Sequence, residues 1–197
     1  MKKEIKRSFL LNEDQFNKLL NDASSYITID TLQGYLFPFD RNFDVCVNLN
    51  HINNDTENTF CNFSITAKNL DDPYEQRVIT FNLTFERACE LFKHCEYNLR
   101  KTKYLLWNPN SKEVVKINDK YILSIFFKDK YEMMNYKPNF EFYEEITLNE
   151  DYNEFNFAEP VENIESETSE MNIFIKDEVM KEFDSDDLSA CFVSRTF

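Results

Sequence analysis

Glycine is almost absent from this chain, since Gly34 is the only one among 197 residues, whereas soluble domains carry roughly 7% glycine. Glycine serves where the backbone needs a positive φ angle or a close approach to other atoms, so the one glycine that remains is informative. A glycine-rich loop that cradles phosphate is excluded, because a single glycine cannot build it. No apolar run reaches the roughly 18 residues of a membrane-spanning helix, so no membrane partner is expected.

Histidine is also scarce, and neither the histidines nor the cysteines follow a known site pattern. The five cysteines are odd in number and lack the spacing of zinc ligands, so we expect reduced thiols and a cytoplasmic location. The start, Met1-Lys2-Lys3-Glu4, leads into a mixed strand and lacks the apolar stretch of a signal peptide. The two histidines stand in no nucleophile or metal pattern. No resident cofactor is therefore predicted.

Negative charge is concentrated in the last quarter of the chain. The formal net charge is −14; residues 149–197 hold 14 acidic and 3 basic residues, and residues 1–148 hold the other 22 acidic and 19 basic ones. General nucleic-acid binding is not expected, because it needs a positive face. The acidic segment is either a contact for a basic partner surface or a solvated stretch that keeps the protein in solution.

Periodicity predicts many short strands and few helices. Asn12 is placed to cap a helix over 13–21, and Thr84 precedes a second helix over 86–95. Ile175, Val179 and Phe183 recur at helical spacing and predict a last helix docked on the body. Residues 151–168 are acidic and poorly periodic, which predicts a loop. Strands are predicted at 3–11, 27–39, 43–49, 59–68, 76–83, 99–107, 114–117, 121–127 and 140–148.

Polar residues alternate along most of these strands, which leaves one strand face that is neither plain core nor plain surface. A closed antiparallel barrel with a polar interior explains such a face. Short strands combined with two or three helices place the chain in the α+β class. The predicted organisation is a barrel body over 1–148, an acidic loop or insertion over 149–177, and a C-terminal helix and tail over 178–197 that dock on the body.

Several segments follow one another in the order of a known family pattern. Glu4-Ile5-Lys6-Arg7-Ser8 resembles an opening Glu-x-Glu-x-Lys strand, and Val45-Cys46-Val47-Asn48-Leu49 resembles Val-Arg-Val-Arg-Ile. Leu99-Arg100-Lys101-Thr102-Lys103-Tyr104 resembles Ile-x-Lys-Thr-Arg-Tyr, and Tyr143-Glu144-Glu145-Ile146-Thr147-Leu148 resembles Ala-Glu-Ile-Glu-Leu. Over nearly its whole length the chain is similar to CYTH domains, the triphosphate tunnel metalloenzymes.

The resemblance implies a fold and a chemistry. The fold is an antiparallel, tunnel-type β-barrel of about eight strands with two or three flanking helices. In that family lysines and arginines inside the barrel hold the oxygens of a triphosphate, while glutamates hold Mg²⁺ or Mn²⁺. A metal-positioned water then attacks the phosphate.

Many charged positions of the family pattern are neutral here. Lys6 stands where the family has a glutamate, and the neutral positions are Ser8, Cys46, Asn48, Thr80, Asn82, Ser124 and Thr147. The candidates that remain for ligand binding are Lys68, Arg77, Lys101 and Lys103. Glu4 and Glu145 are metal candidates only if the chain is an active enzyme, and no catalytic residue is assigned. A surface or structural role fits each of these side chains about as well.

These departures favour a catalytically degenerate, CYTH-like pseudoenzyme. It is expected to act by binding a protein partner, or a phosphorylated ligand such as a nucleotide or polyphosphate, without turnover. The alternative is a divergent triphosphate hydrolase that depends on Mg²⁺ or Mn²⁺. The excess of asparagine, lysine, phenylalanine and tyrosine suggests an AT-rich genome, so a viral or mobile-element accessory protein is a third hypothesis.

Overall fold

A computed structural model of the chain describes residues 2–36, 43–53, 59–69, 71–107, 112–138 and 144–161. The chain divides into two compact units, Met1–Pro160 and Val161–Phe197. The predicted last helix and most of the predicted acidic segment lie outside the described residues. The division proposed from the sequence, at 148 and 177, therefore stays a prediction. Within the described residues, no helix is long and apolar enough to cross a membrane.

Alternating sequences form the strands, and the described part of the chain contains ten of them. The strands that follow the predictions are β1 (Lys2–Leu11), β2 (Tyr26–Tyr35), β3 (Phe43–Ile52), β4 (Thr59–Lys68), β5 (Glu75–Leu83), β6 (Tyr97–Leu106), β7 (Lys112–Ile117) and β8 (Lys120–Phe127). Two short ones are β9 (Glu144–Glu145) and β10 (Glu159–Pro160). Of the strand predicted over 140–148, residues 140–143 lie outside the described residues and 144–145 form β9. The prediction is wrong at 146–148, because the chain turns there and the Asn149 amide donates to the Ile146 carbonyl at 3.0 Å.

The first eight strands close into an antiparallel barrel. The wall runs β1-β8-β7-β6-β2-β3-β4-β5, and β5 returns to β1. β1 pairs with β5 over Lys2–Ile5, and further along the same edge it pairs with β9 at Phe9 and Leu10. β10 adds to the free end of β6. The barrel and its helices confirm the predicted α+β tunnel-type fold.

Three helices lie in the described residues, and each begins at a capping side chain. They are α1 (Glu13–Asp22), α2 (Phe85–Phe92) and α3 (Lys130–Asn135). Asn12 caps α1 and Thr84 caps α2, as the sequence predicts. Asp129 caps α3, which periodicity did not reveal, because six residues give too little repeat to detect.

The main apolar core lies outside the barrel wall, where α1 and α3 cover the strands. Phe16 of α1 stacks on Tyr121 at 4.3 Å between ring centroids and meets Tyr104 edge-on at 4.9 Å. We call this cluster the outer core; its buried members are Ile5, Phe9, Leu11, Phe16, Leu19, Leu106, Val114, Tyr121, Leu123, Ile125, Phe127 and Met133. It fixes which face of β1, β6, β7 and β8 points outward, and the strand register extends this assignment to the other strands.

A second apolar cluster fills part of the barrel interior. We call it the inner core; it comprises Tyr35, Cys46, Leu99, Val115, Ile117, Ile122 and Ile146. Aromatic side chains from the segment after β9 pack against it, among them Tyr152, Phe155 and Phe157. The 151–168 loop prediction missed this packing. The segment forms 3₁₀ turns at Glu150–Tyr152 and Glu154–Phe157.

Candidate functional site

The strand faces opposite the outer core carry polar side chains into the barrel. Successive side chains of a strand point to opposite faces, and residues paired across neighbouring strands point to the same face. Every second residue of each strand therefore points into the barrel. Directly paired inward residues include Thr31 with Lys101 and Gln33 with Asn48. The inward polar residues used below are Glu4, Lys6, Ser8, Thr31, Gln33, Asp44, Asn48, Asn50, Asn62, Ser64, Lys68, Gln76, Lys101, Lys103 and Ser124.

Amides and hydroxyls bond to one another across β2, β3 and β4. Thr31 Oγ1 donates to Asn50 Oδ1 at 2.9 Å. Asn48 Nδ2 donates to Asn62 Oδ1 at 2.9 Å and to Ser64 Oγ at 3.1 Å. Asn48 stands where the family pattern has an arginine, so this part of the inner wall is neutral and largely satisfied by its own hydrogen bonds.

The Asn48 side chain also keeps one acceptor free. Among the described residues, its Oδ1 atom is buried and has no hydrogen-bond partner. Buried polar atoms are usually satisfied. This oxygen is therefore a point at which a ligand or water molecule that enters the barrel can donate a hydrogen bond.

Lys101 is the most deeply buried cation of the inner wall, with a side chain only 2% exposed. Its ammonium group donates to Gln33 Oε1 at 2.6 Å and to the carboxylate of Glu154. Burial lowers the pKa of Lys101 from its usual value, and the neighbouring Glu154 charge opposes that shift. The buried charge is thus held by one neutral amide and one carboxylate.

Glu154 reaches Lys101 from the 3₁₀ turn that follows β9. Its side chain remains 36% exposed. Burial alone would raise the pKa of this carboxyl group, but Lys101 and Lys103 outweigh burial and lower the pKa to about 2. Lys6 of β1 acts in the same direction. Glu154 is therefore ionised at neutral pH and faces a cationic part of the barrel interior.

Other inward charges are also paired. Lys68 Nζ lies 3.7 Å from Asp44 Oδ2. Burial raises the pKa of Asp44, and Lys68 only partly opposes it. Glu4 accepts from Gln76 Nε2 at 3.0 Å and pairs with Lys2 at 3.0 Å. Burial would raise the pKa of Glu4, but these partners outweigh it and lower the pKa.

Three of the four ligand residues proposed from the sequence point into the barrel. Lys68 lies on the inner side of β4, and Lys101 and Lys103 lie on the inner side of β6. Arg77 lies on the other face of β5, opposite Ala67 and Lys3, and is exposed. Strand alternation explains this difference, because Arg77 is next to the inward Gln76.

The two proposed metal ligands do not fit a shared metal site. Glu4 points to the inner side of β1, whereas Glu145 lies beside Arg7, on the face that carries the outer core. Arg7 binds both carboxylate oxygens of Glu145, at 2.9 and 2.6 Å, and holds the pKa of that carboxyl group below its usual value. The described residues contain no group of three or more His, Cys, Asp or Glu side chains that could hold a metal ion.

Sequence reasoning missed several residues of this interior. Gln33 and Asp44 were not proposed as site residues, although their inward position follows from alternation beside Tyr35 and Cys46. Lys6 was noted only as a departure from the family pattern. Glu154 lies 53 residues from Lys101 in the chain and in a segment predicted as loop, so no local signal could have linked the two.

Known structures provide an independent view of the fold. The inorganic triphosphatase NE1496 is 16% identical over 78% of this chain and 93% of that chain, with a TM-score of 0.50. The PH1819 protein from Pyrococcus horikoshii OT3 is 12% identical over 66% of this chain and 82% of that chain, with a TM-score of 0.54. Neither the family models nor the curated proteins gave a match to the sequence.

At these identities the likeness concerns the fold and not the chemistry. The chain reproduces the closed antiparallel barrel with an inner row of polar side chains. Together with the similarity to the inorganic triphosphatase, this shows that the chain has a CYTH-like tunnel fold.

Proposed function

We propose that this chain acts by binding, and that its barrel holds an anionic group of a protein partner or a phosphorylated ligand without turnover. One observation carries the proposal. The most deeply buried lysine of the inner wall, Lys101, is already neutralised by Glu154 of the same chain. An enzyme that holds a triphosphate needs cations that remain available to phosphate oxygens in the transition state.

The neutral inner wall supports the same proposal. Asn48 and Asn50 bond to neighbouring amide, hydroxyl and backbone groups where a triphosphate would need positive charge. Loss of one preorganised charge costs about 3 kcal/mol of transition-state stabilisation, and several family charges are replaced together. The separation of Glu4 from Glu145 removes the carboxylate pair that a catalytic metal would use.

A divergent metal-dependent triphosphate hydrolase is the second candidate. The inward position of Lys68, Lys101 and Lys103 favours it. The neighbour NE1496 is described as an inorganic triphosphatase, which gives the substrate class to test. In this candidate the lysines hold phosphate oxygens and Glu4 is the remaining inward carboxylate proposed from the sequence.

A thermal-shift titration combined with a phosphate-release assay separates the two candidates. The ligands are tripolyphosphate, ATP and a cyclic nucleotide, each with and without Mg²⁺ or Mn²⁺. A bound ligand at a hundredfold excess over its Kd should stabilise the fold by about 2.7 kcal/mol, which is a rise in Tm of about 5–10 °C. We expect no phosphate release with any of the three ligands.

Matched lysine variants locate any ligand that binds. Lys103→Met should remove the shift, because Lys103 lies inside the barrel, whereas Lys18→Met on the exposed face of α1 should preserve it. Metal-dependent release of phosphate that Glu4→Gln abolishes would contradict the binding proposal and establish the hydrolase.

A further inference from the structure

The segment from Asn149 to Ala158 forms a compact double turn at the barrel. The Asn149 side chain accepts from the Asp151 amide at 3.0 Å, and the Asn153 side chain accepts from the Phe155 amide at 3.4 Å. Local side-chain caps of this kind stabilise short turns without help from the wall. The segment therefore presents Glu154 and Phe155 together, as adjacent residues of a preformed turn.

The carboxylate of Glu154 occupies a defined polar position. Lys101 and Gln33 form it, because the Lys101 ammonium donates both to Gln33 Oε1 and to Glu154. The lysine is buried and the glutamate is partly exposed, so the wall contributes the fixed cation and the segment brings the anion from outside. Charge-assisted hydrogen bonds of this type are among the strong ones.

The ring of Phe155, the residue after Glu154, packs against two tyrosine rings of the wall. Its centroid lies 5.1 Å from the Tyr35 ring at an interplanar angle of 77°, and 5.3 Å from the Tyr97 ring at 67°. Both contacts are edge-to-face, the arrangement that aromatic pairs prefer. Tyr35 and Tyr97 face each other across β2 and β6, so the wall itself supplies the aromatic pair.

The barrel closes without this segment. β7 and β6 complete the ring by their own hydrogen bonds, and within the described residues the double turn is followed by the Glu159 and Pro160 pairs of β10 with β6. The wall residues that contact Glu154 and Phe155 belong to β2 and β6, which pair with each other over ten residues. The segment is thus an occupant of the site and not part of the closed wall.

We infer that Lys101, Gln33, Tyr35 and Tyr97 form a peptide-recognition site for a carboxylate followed by an aromatic ring. In this structure the chain's own Glu154 and Phe155 fill the site, and the matching segment of a protein partner replaces them. The inference rests on the proposed binding function and specifies the ligand as a peptide. The aromatic pair is the reason to favour a peptide, because inorganic phosphate makes no use of the two tyrosine rings that contact Phe155.

The test measures binding of a fluorescently labelled synthetic peptide that covers Asn149–Ala158 to the full-length chain by anisotropy. Glu154→Gln weakens the internal competitor, so this variant should bind the peptide at least tenfold more tightly than the wild type. Glu150→Gln changes an exposed carboxylate of the same segment and should match the wild type. A peptide with Gln in place of Glu154 should bind the Glu154→Gln chain at least tenfold more weakly.

A double variant tests whether the peptide binds at the Lys101 position. Adding Lys101→Met to the Glu154→Gln chain should abolish peptide binding, while circular dichroism shows that the barrel is still folded. Equal peptide affinity of the wild type, Glu154→Gln and Glu150→Gln chains would overturn the inference. Tripolyphosphate binding to Glu154→Gln without any peptide binding would also overturn it and would leave binding without turnover intact. The proposed function itself fails only if phosphate is released.

Discussion

At the scale of the residue, the packing around Gly34 explains why glycine is needed at this position in a chain that otherwise lacks it. Its φ angle is not positive, so backbone conformation is not the reason. A Cβ atom at this position would lie 2.5 Å from Cys95 Sγ and 2.8 Å from Phe92 Cε2. The end of α2 and Cys95 in the turn after it therefore approach β2 so closely that only a hydrogen fits between them.

Replacement of Gly34 by alanine should destabilise the fold. In a strand without such contacts alanine is preferred to glycine by about 0.5–1 kcal/mol, but here the added methyl group overpacks Cys95 and Phe92. We expect a loss of about 1–3 kcal/mol in the free energy of unfolding, measured by urea denaturation. The double variant Gly34→Ala with Cys95→Ala should recover part of the loss, and an unchanged midpoint in the single variant would contradict the packing argument.

The charge of Glu154 predicts that the free energy of unfolding depends on pH, which is again the effect of a single residue. The ordinary pKa of a glutamate is 4.5, and here it falls to about 2. A carboxyl group with a depressed pKa in the folded state adds stability that is present above about pH 4.5 and lost as the pH falls toward 2. With allowance for screening at this partly exposed side chain, the contribution is about 1–2 kcal/mol.

Urea unfolding at several pH values checks this contribution. The wild type should be more stable than Glu154→Gln at pH 7, and the difference should shrink as the pH falls from about 5 to 2. Glu150→Gln is the matched control and should follow the wild type at every pH. A difference that is independent of pH would show that lost packing, and not the ion pair with Lys101, causes the effect.

At the scale of the element, the starts of α1 and α2 were predictable because their signals are local. In α1 the Asn12 side chain accepts from the Gln15 amide at 2.8 Å, and the Gln15 side chain accepts from the Asn12 amide at 2.9 Å. Such a capping box needs only four neighbouring residues. β9 was different, because its short pairing with β1 depends on residues about 135 positions away in the chain, and no local pattern fixes its length.

Removal of the α1 cap should have a measurable cost. Asn12→Ala leaves the first amides of the helix without this partner and should reduce the free energy of unfolding by about 1 kcal/mol. Asn17→Ala makes the same chemical change on the exposed face of α1, and it should be neutral or slightly stabilising, because alanine favours helices. Thermal denaturation of both variants measures the two changes in stability. Equal changes would argue against a stabilising role of the Asn12 cap.

At the scale of the whole molecule, alternation predicted the strands and also placed lysines of one strand on a common face. Polar alternation indicated a closed barrel, and the resemblance to CYTH domains implied the same fold. The strand order was not predicted, because pairing partners are distant in sequence. The sequence predicted only some of the residues and contacts inside the barrel. Lys101 and Lys103 were visible as a pattern, whereas the contacts of Lys101 with Gln33 and Glu154 depend on three separate parts of the chain.

The edge of β1 that pairs with both β5 and β9 is completed only late in protein synthesis. β5 leaves this edge after Ile5, and residues 144–147 cover it at Ser8, Phe9 and Leu10. During synthesis β1 is made well before residues 144–147, so this part of its edge stays uncovered until the ribosome has added those residues. A nascent or truncated chain that ends earlier exposes backbone donors and acceptors, and such an edge invites pairing with other chains.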